Sequence, residues 1–268
     1  MIDRLKEGQR WMWSLGDYPR VAELLEPHAE ALAAACAIGP GATVLDVAAG
    51  NGNFALAAAR RGARVTATDI TPKMVELGRA RSAAAGLSIE WSEADAEKLP
   101  FAEASYDMVA SVFGAMFAPQ PALVAAEMFR VAKPGGLVAM ANYSPGGYLG
   151  KLSELLRSFS ARADFDLPWP FLWGDEQEVR RRLGDHAESI EVIHRSLFFE
   201  SESVDAFVDF WQATNAPQAA MKAMMPPEAY QKVLDAKKLL IDELNESTDG
   251  RVKLSSPYIL VLSRKPTW

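Results

Sequence analysis

The chain of 268 residues contains a single cysteine, Cys36, and three histidines, His28, His186 and His194. One thiol excludes both an intrachain disulfide and a thiolate metal cage. The histidines stand far apart with no metal-ligand spacing, so no metal is expected. No apolar run reaches membrane-spanning length, and Met1-Ile2-Asp3-Arg4-Leu5-Lys6-Glu7 lacks the apolar stretch of a signal peptide. A cytoplasmic location without a membrane partner is therefore expected. Basic residues are outnumbered, 28 Lys and Arg against 35 Asp and Glu, for a net charge of −7. That balance disfavours nucleic acid as a partner. Glycine (18) and proline (16) are too few for a fibrous or disordered chain. With 49% hydrophobic residues, the composition leaves an enzyme of small molecules with one large core, or one core and a smaller appendage.

What the chain does have is alternation. Residues 18–37 carry Val21, Leu24, Leu25, Ala29 and Leu32 at helical spacing, with Cys36 as a packed helical residue, and end at Gly39-Pro40-Gly41. Strand-like runs follow at 43–47, 64–68, 89–92, 106–112 and 137–143. Helical runs lie between them at 54–61, 72–85 (opened by Pro72) and 121–131, and Lys133-Pro134-Gly135-Gly136 reads as a turn. Such βαβ order predicts a parallel sheet covered on both faces, with right-handed crossovers and a ligand site beyond the carboxyl ends of the strands. Gly50, Asp69, Asp95 and Ser111 all fall at or just after those ends. Past Tyr143 the order loosens. A helix is predicted at 148–161, then Pro168-Trp169-Pro170-Phe171-Leu172-Trp173, a strand at 189–199, helices at 205–211 and 228–244, and a last strand at 258–262.

Three acids at strand ends suggest the ligand. Asp46 ends an apolar run and is followed by Gly50 and Gly52, which let a ligand approach bare backbone at a helix start. A carboxylate there repels a pyrophosphate and attracts an ammonium, which favours a zwitterionic cofactor such as S-adenosylmethionine over NAD. The competing reading is an ordinary glycine turn with a solvated acid. Asp69 can accept from two ribose hydroxyls, with Thr71 capping the next helix. Asp95 can accept from an adenine amino group beside the Ala96 backbone N–H. Each also has a bland reading, as a helix cap and as an acidic surface turn.

The order of five pieces carries a resemblance. They are Val44-Leu45-Asp46-Val47-Ala48-Ala49-Gly50-Asn51-Gly52, Thr66-Ala67-Thr68-Asp69-Ile70, Ala94-Asp95-Ala96-Glu97-Lys98-Leu99-Pro100-Phe101, Tyr106-Asp107-Met108-Val109 and Arg130-Val131-Ala132-Lys133-Pro134-Gly135-Gly136. Together they resemble class I S-adenosylmethionine-dependent methyltransferases, especially the ubiquinone/menaquinone-type and natural-product branch. The resemblance implies an α/β, Rossmann-like, doubly wound sheet of seven strands, mostly parallel with an antiparallel last strand, and helical cap insertions. It implies S-adenosylmethionine as cofactor, held by Asp46, Ala48, Gly50, Gly52, Asp69, Ile70, Met74, Asp95, Ala96, Ser111 and Val112. Ala48 stands where the family has its first glycine, and is expected to avoid positive φ. The expected organisation is an N-terminal helical segment (1–40) over the active site and a cofactor-binding core (41–143). A cap insertion (144–188) follows, and residues 189–268 complete the sheet around a second cap insertion at about 200–248.

The acceptor is expected to be a hydrophobic small molecule, aromatic or quinone/polyketide-like, methylated at O or C, and any self-association to be a homodimer. Trp13, Met116, Phe117, Trp169, Trp173 and Trp211 are candidates for its pocket. His194, Tyr18 and Tyr143 are the candidate catalytic groups. Two other functions remain open. One is a non-methylating cyclase or auxiliary protein on the same cofactor site. The other is an NAD-dependent oxidoreductase, against which the acid and the shortened glycine pattern speak.

Overall fold

Two helices precede the sheet in the computed structural model, which describes residues 1–159 and 167–268: α1 (Ile2–Trp13) and α2 (Tyr18–Ala35). The βαβ core follows as β1 (Thr43–Val47), α3 (Asn53–Arg60), β2 (Arg64–Asp69), α4 (Pro72–Ala84) and β3 (Ile89–Glu93). Next come β4 (Tyr106–Val112), α5 (Pro121–Val131) and β5 (Ala132–Tyr143). The remainder runs α6 (Gly147–Phe159), α7 (Glu176–Leu183), β6 (Ser189–Ser201), α8 (Val204–Thr214), α9 (Ala216–Met224), α10 (Pro227–Leu244) and β7 (Val252–Arg264).

The strands form one sheet in the order β3-β2-β1-β4-β5-β7-β6. Pairing is parallel from β3 to β5, and β7 runs antiparallel to both β5 and β6. The expected Rossmann-like sheet with its antiparallel last strand is therefore present. The order reverses between β1 and β4, which opens a crevice at their carboxyl ends. Val44, Leu45, Val109, Ala110 and Ala139 lie fully inside, because central parallel strands are buried on both faces. Among the described residues no helix is long and apolar enough to cross a membrane.

Several boundaries differ from expectation. The helix expected to reach residue 37 stops at Ala35, and Ala37 turns to a φ of 49°. The turn expected at Lys133-Pro134-Gly135-Gly136 is absorbed into β5 as an irregularity between the Tyr106 and Met108 pairings, with Gly135 at a φ of 71°. The helix expected at 148–161 is α6, and Ala161 lies outside the described residues. Helices α7 and α9 escaped the sequence reading, whereas α1 falls within the helical segment expected over 1–40. α7 buries only Val179 and Leu183, too short an apolar stripe to betray it.

Candidate active site

An open cavity lies at the crevice, between α1 and the carboxyl ends of β1, β2, β3 and β4. Lys6, Gln9 and Trp13 from α1 roof it, and Tyr18 enters from the start of α2. Ala48 and Gly50 follow β1; Asp69, Ile70 and Met74 follow β2; Ala94, Asp95 and Ala96 follow β3; Phe113 to Ala115 and Phe117 to Pro119 follow β4. Every lining residue among those described falls between Lys6 and Pro119, so the described residues of 144–188 and 200–248 contribute none. Instead α6 packs on β7 and α10 on α6.

The turn after β1 places Ala48, Gly50 and Gly52 at φ values of 53°, 57° and 93°. Ala48 thus adopts the positive φ it was expected to avoid. The turn demands it: Ala49 N–H donates to Thr68 O at 2.8 Å, and Gly114 lies so close that a Cβ there would strike the Ala48 carbonyl. The methyl is accommodated at roughly 1–2 kcal/mol of backbone strain. Gly50 N–H donates to Asp69 Oδ2 and Thr71 N–H to Asp69 Oδ1, both at 2.9 Å. One buried carboxylate therefore ties the glycine turn to the start of α4. Burial raises the Asp69 pKa, while the backbone N–H groups pull it back. Thr71 makes no side-chain bond to the helix, contrary to expectation, while its N–H donates to Asp69 Oδ1.

Asp46 does not reach the main cavity. Its Oδ2 accepts from Ala55 N–H at 2.9 Å, and its buried Oδ1 has no partner. It lines a smaller space with Tyr18, Asn53, Val112 and Phe113, directly behind the cavity wall. Burial, reinforced by Asp69, pushes its pKa up to about 8. Tyr18 borders both spaces and covers Gly50, where an added Cβ would lie 2.6 Å from the phenol oxygen.

Other expected contacts are placed elsewhere. The space beside Gly52 is filled by Trp91, whose ring would lie 2.8 Å from a Cβ. Ser111 is buried and its Oγ accepts from Ala115 N–H at 2.9 Å, which caps a 3-10 turn. Neither lines the main cavity, and Val112 lines only the space behind it. Asp95 does line the cavity, but its Oδ2 pairs with Lys6 Nζ at 2.5 Å and its Oδ1 accepts from Glu97 N–H at 2.9 Å. Lys6 is also 2.5 Å from Glu97 Oε2. Burial works against its charge, yet the two carboxylates hold its pKa above the ordinary value. The sequence reading missed Lys6, Gln9, Gly114 and Pro119. A lysine on a polar helix carries no signal that separates it from a solvated face.

Of the expected pocket residues, Trp13 and Phe117 meet edge to face at 5.4 Å and both line the cavity. Met116 is buried in the core. Trp169 stacks on Phe171 and donates its indole N–H to Ser153 Oγ at 2.9 Å. Trp173 lies under the Arg182 guanidinium, and Trp211 packs among Phe199, Phe207 and Phe210. These four serve packing, as large aromatics at helical spacing usually do. Of the catalytic candidates, His194 is exposed on β6, 3.0 Å from Glu176 Oε2. Tyr143 stacks on Phe113 at 4.0 Å, and burial holds its phenol well above the usual range. Only Tyr18 lines the cavity. Burial, with Asp69 and Asp46 nearby, raises its pKa too, so it remains a hydroxyl at neutral pH and is no base in the free protein.

The methyltransferase domain profile matches residues 45–140, the stretch that builds this crevice. Two uncharacterized proteins of Mycobacterium tuberculosis are similar. One is 44% identical over 177 residues, 66% of this chain, and the chain spans 65% of its length. The other is 40% identical over 208 residues, 75% of this chain and 76% of its own. Demethylmenaquinone methyltransferase of Deinococcus radiodurans is 38% identical over 116 residues, 42% of this chain and 48% of its own. The fold is shared with YcgJ of Bacillus subtilis (TM-score 0.61, 17% identity, 89% of this chain and 98% of that one). It is shared also with the [4+2]-cyclase SpnF (TM-score 0.57, 18% identity, 91% and 81%). The chain belongs to the class I S-adenosylmethionine-dependent methyltransferases. S-adenosylmethionine is the cofactor of that family, and the residues present fit it. Asp69 presents a carboxylate on the cavity wall beside Gly50, and Asp46 keeps a buried oxygen unpartnered in the smaller space behind that wall.

Proposed function

We propose that the protein methylates an O or C nucleophile of a hydrophobic small molecule, aromatic or quinone/polyketide-like, with S-adenosylmethionine as donor. The observation that carries this reading is a cavity lined both by polar side chains (Asp69, Asp95, Lys6, Gln9) and by the rings of Trp13, Phe113 and Phe117. Asp69 would serve the ribose of the cofactor and Asp95 its adenine, and Asp46 would complement its ammonium were that end to enter the smaller space that Asp46 and Tyr18 line. When bound, the cofactor supplies an electrophilic methyl on a sulfonium. What this chain supplies is alignment and exclusion of water: α1 roofs the cavity, and Trp13 and Phe117 offer faces for a planar acceptor.

The test is formation of S-adenosylhomocysteine and methylated product over a panel of phenolic and enolic acceptors. Turnover confined to apolar ring acceptors supports the proposal. Tight cofactor binding with no methyl transfer to any acceptor would favour a second reading, a non-methylating cyclase or auxiliary protein, for which the structural likeness to SpnF speaks. Tight NAD binding would sink both.

A further inference from the structure

Helix α1 meets the core through the Trp13–Phe117 ring contact and a set of polar bonds. Its one buried residue is Lys6. Gln9 Nε2 donates to Phe117 O at 2.7 Å, Arg10 Nε to Ile70 O at 3.2 Å, and Lys73 Nζ to Ser14 O, just past the helix, at 2.6 Å. The central attachment is the Lys6 ammonium, held between Asp95 Oδ2 and Glu97 Oε2. These two acids are not equivalent. Glu97 is turned inward, with a side chain 1% exposed, and also accepts from Gln120 N–H at 2.6 Å and Gln120 Nε2 at 2.7 Å. Asp95 faces the cavity. Lys6 therefore bridges a fixed anchor and a ligand-facing arm, and has a third N–H left to donate.

We propose that Lys6 is a positioning and specificity residue of the nucleobase end of the site, which couples the docking of α1 to the identity of the base that bonds Asp95. The inference rests on the assignment of Asp95 to adenine made above. A carboxylate oxygen can accept two hydrogen bonds, so Asp95 Oδ2 can take an exocyclic N–H while keeping Lys6. An adenine amine satisfies that geometry. An oxo group at the same place presents lone pairs to a carboxylate and is rejected. Because Asp95 is shared by helix and ligand, the coupling is reciprocal: ligand steadies α1, and docked α1 steadies ligand. Removing the ammonium leaves Asp95 facing Glu97 without a counter-charge and frees it to turn away, so both effects weaken together.

The experiment compares binding of S-adenosylhomocysteine with its inosyl analogue, and follows amide hydrogen exchange over residues 2–13 with and without ligand. Wild type should bind the adenosyl ligand at least tenfold more tightly and protect α1 when it does. Lys6→Met should lose about tenfold in adenosyl affinity, narrow the adenosyl-to-inosyl ratio and lose ligand-induced protection; Lys6→Arg should restore all three. Arg10→Met loosens the same helix without touching Asp95, and should leave the ratio unchanged. A Lys6→Met protein that keeps the wild-type ratio and protection, or an Arg10→Met protein that loses the ratio equally, would overturn the inference. Failure of the wild type to bind S-adenosylhomocysteine would overturn the proposed function itself, and this inference with it.

Discussion

Asp46→Asn should make the free protein more stable and a poorer binder of cofactor. In the folded chain the Asp46 carboxyl titrates at about 8, against an ordinary 3.8, because it is buried beside Asp69. The native state therefore holds a proton that the unfolded chain releases between those values. Stability from this group is fully present below about pH 4 and is lost as pH rises towards 8. At 1.36 kcal/mol per unit, the loss reaches about 6 kcal/mol above pH 8 and about 4 kcal/mol at pH 7. Asparagine cannot ionise and keeps an acceptor for Ala55 N–H, though its amide N–H₂ then occupies the site of the partnerless Oδ1, at a cost of about 1–3 kcal/mol. The net gain is about 2 kcal/mol at pH 7. Urea titrations at pH 6, 7 and 8 should show wild-type stability falling with pH from this group and a flatter profile in the variant. Calorimetry with S-adenosylhomocysteine should show the variant binding roughly 10–100-fold more weakly, the worth of a charge-assisted bond. In the wild type, affinity should rise about tenfold per pH unit up to about pH 8, as binding of the ammonium expels the proton. A variant less stable than wild type at pH 8, with unchanged affinity, would refute the reasoning.

Asp69→Ala should lower cofactor affinity at least tenfold, and an unchanged Kd would show that the ribose assignment is wrong. Ala48→Gly removes the strain of a φ of 53°; urea unfolding should show a gain of up to about 1 kcal/mol, with cofactor binding intact. Lys237 is buried, with one bond to Gln218 Oε1 at 2.9 Å, and burial lowers its pKa to about 7. The unfolded chain keeps that proton up to about pH 10, so this group raises stability from pH 7 to 10, offsetting the fall from Asp46 up to pH 8. Lys237→Met should flatten the climb and raise Tm at pH 7, and a lowered Tm at that pH would count against it.

The core was legible because its signals are local. Short apolar strands, Pro72 at a helix start and acids at strand ends each report on a few neighbouring residues, and the sheet order follows from the βαβ rule. Burial class was not legible for aromatics. Trp13 and Trp173 look alike in sequence, yet one roofs the cavity and the other lies beneath Arg182. Trp13 is turned by Phe117 in a distant element, and Trp173 by Arg182 on the helix that follows it. Lys6 was invisible for the same reason, its partners standing 89 residues away at Asp95 and further at Glu97. Ser111 and Gly52 show the opposite error. Their positions on the rim were read correctly, but the local backbone and Trp91 had prior claim on them.

Every cavity-lining residue among those described lies between Lys6 and Pro119, so the described part of the second half reaches the cavity through the sheet. It is a buttress: α6 and α10 brace β7, and β7 braces β5, whose neighbour β4 carries Phe113. Attempts to redirect the enzyme to new acceptors are best spent on Trp13, Phe117 and Pro119. Substitutions among the tryptophans of the far half will show up in yield and melting temperature, with the range of products unchanged.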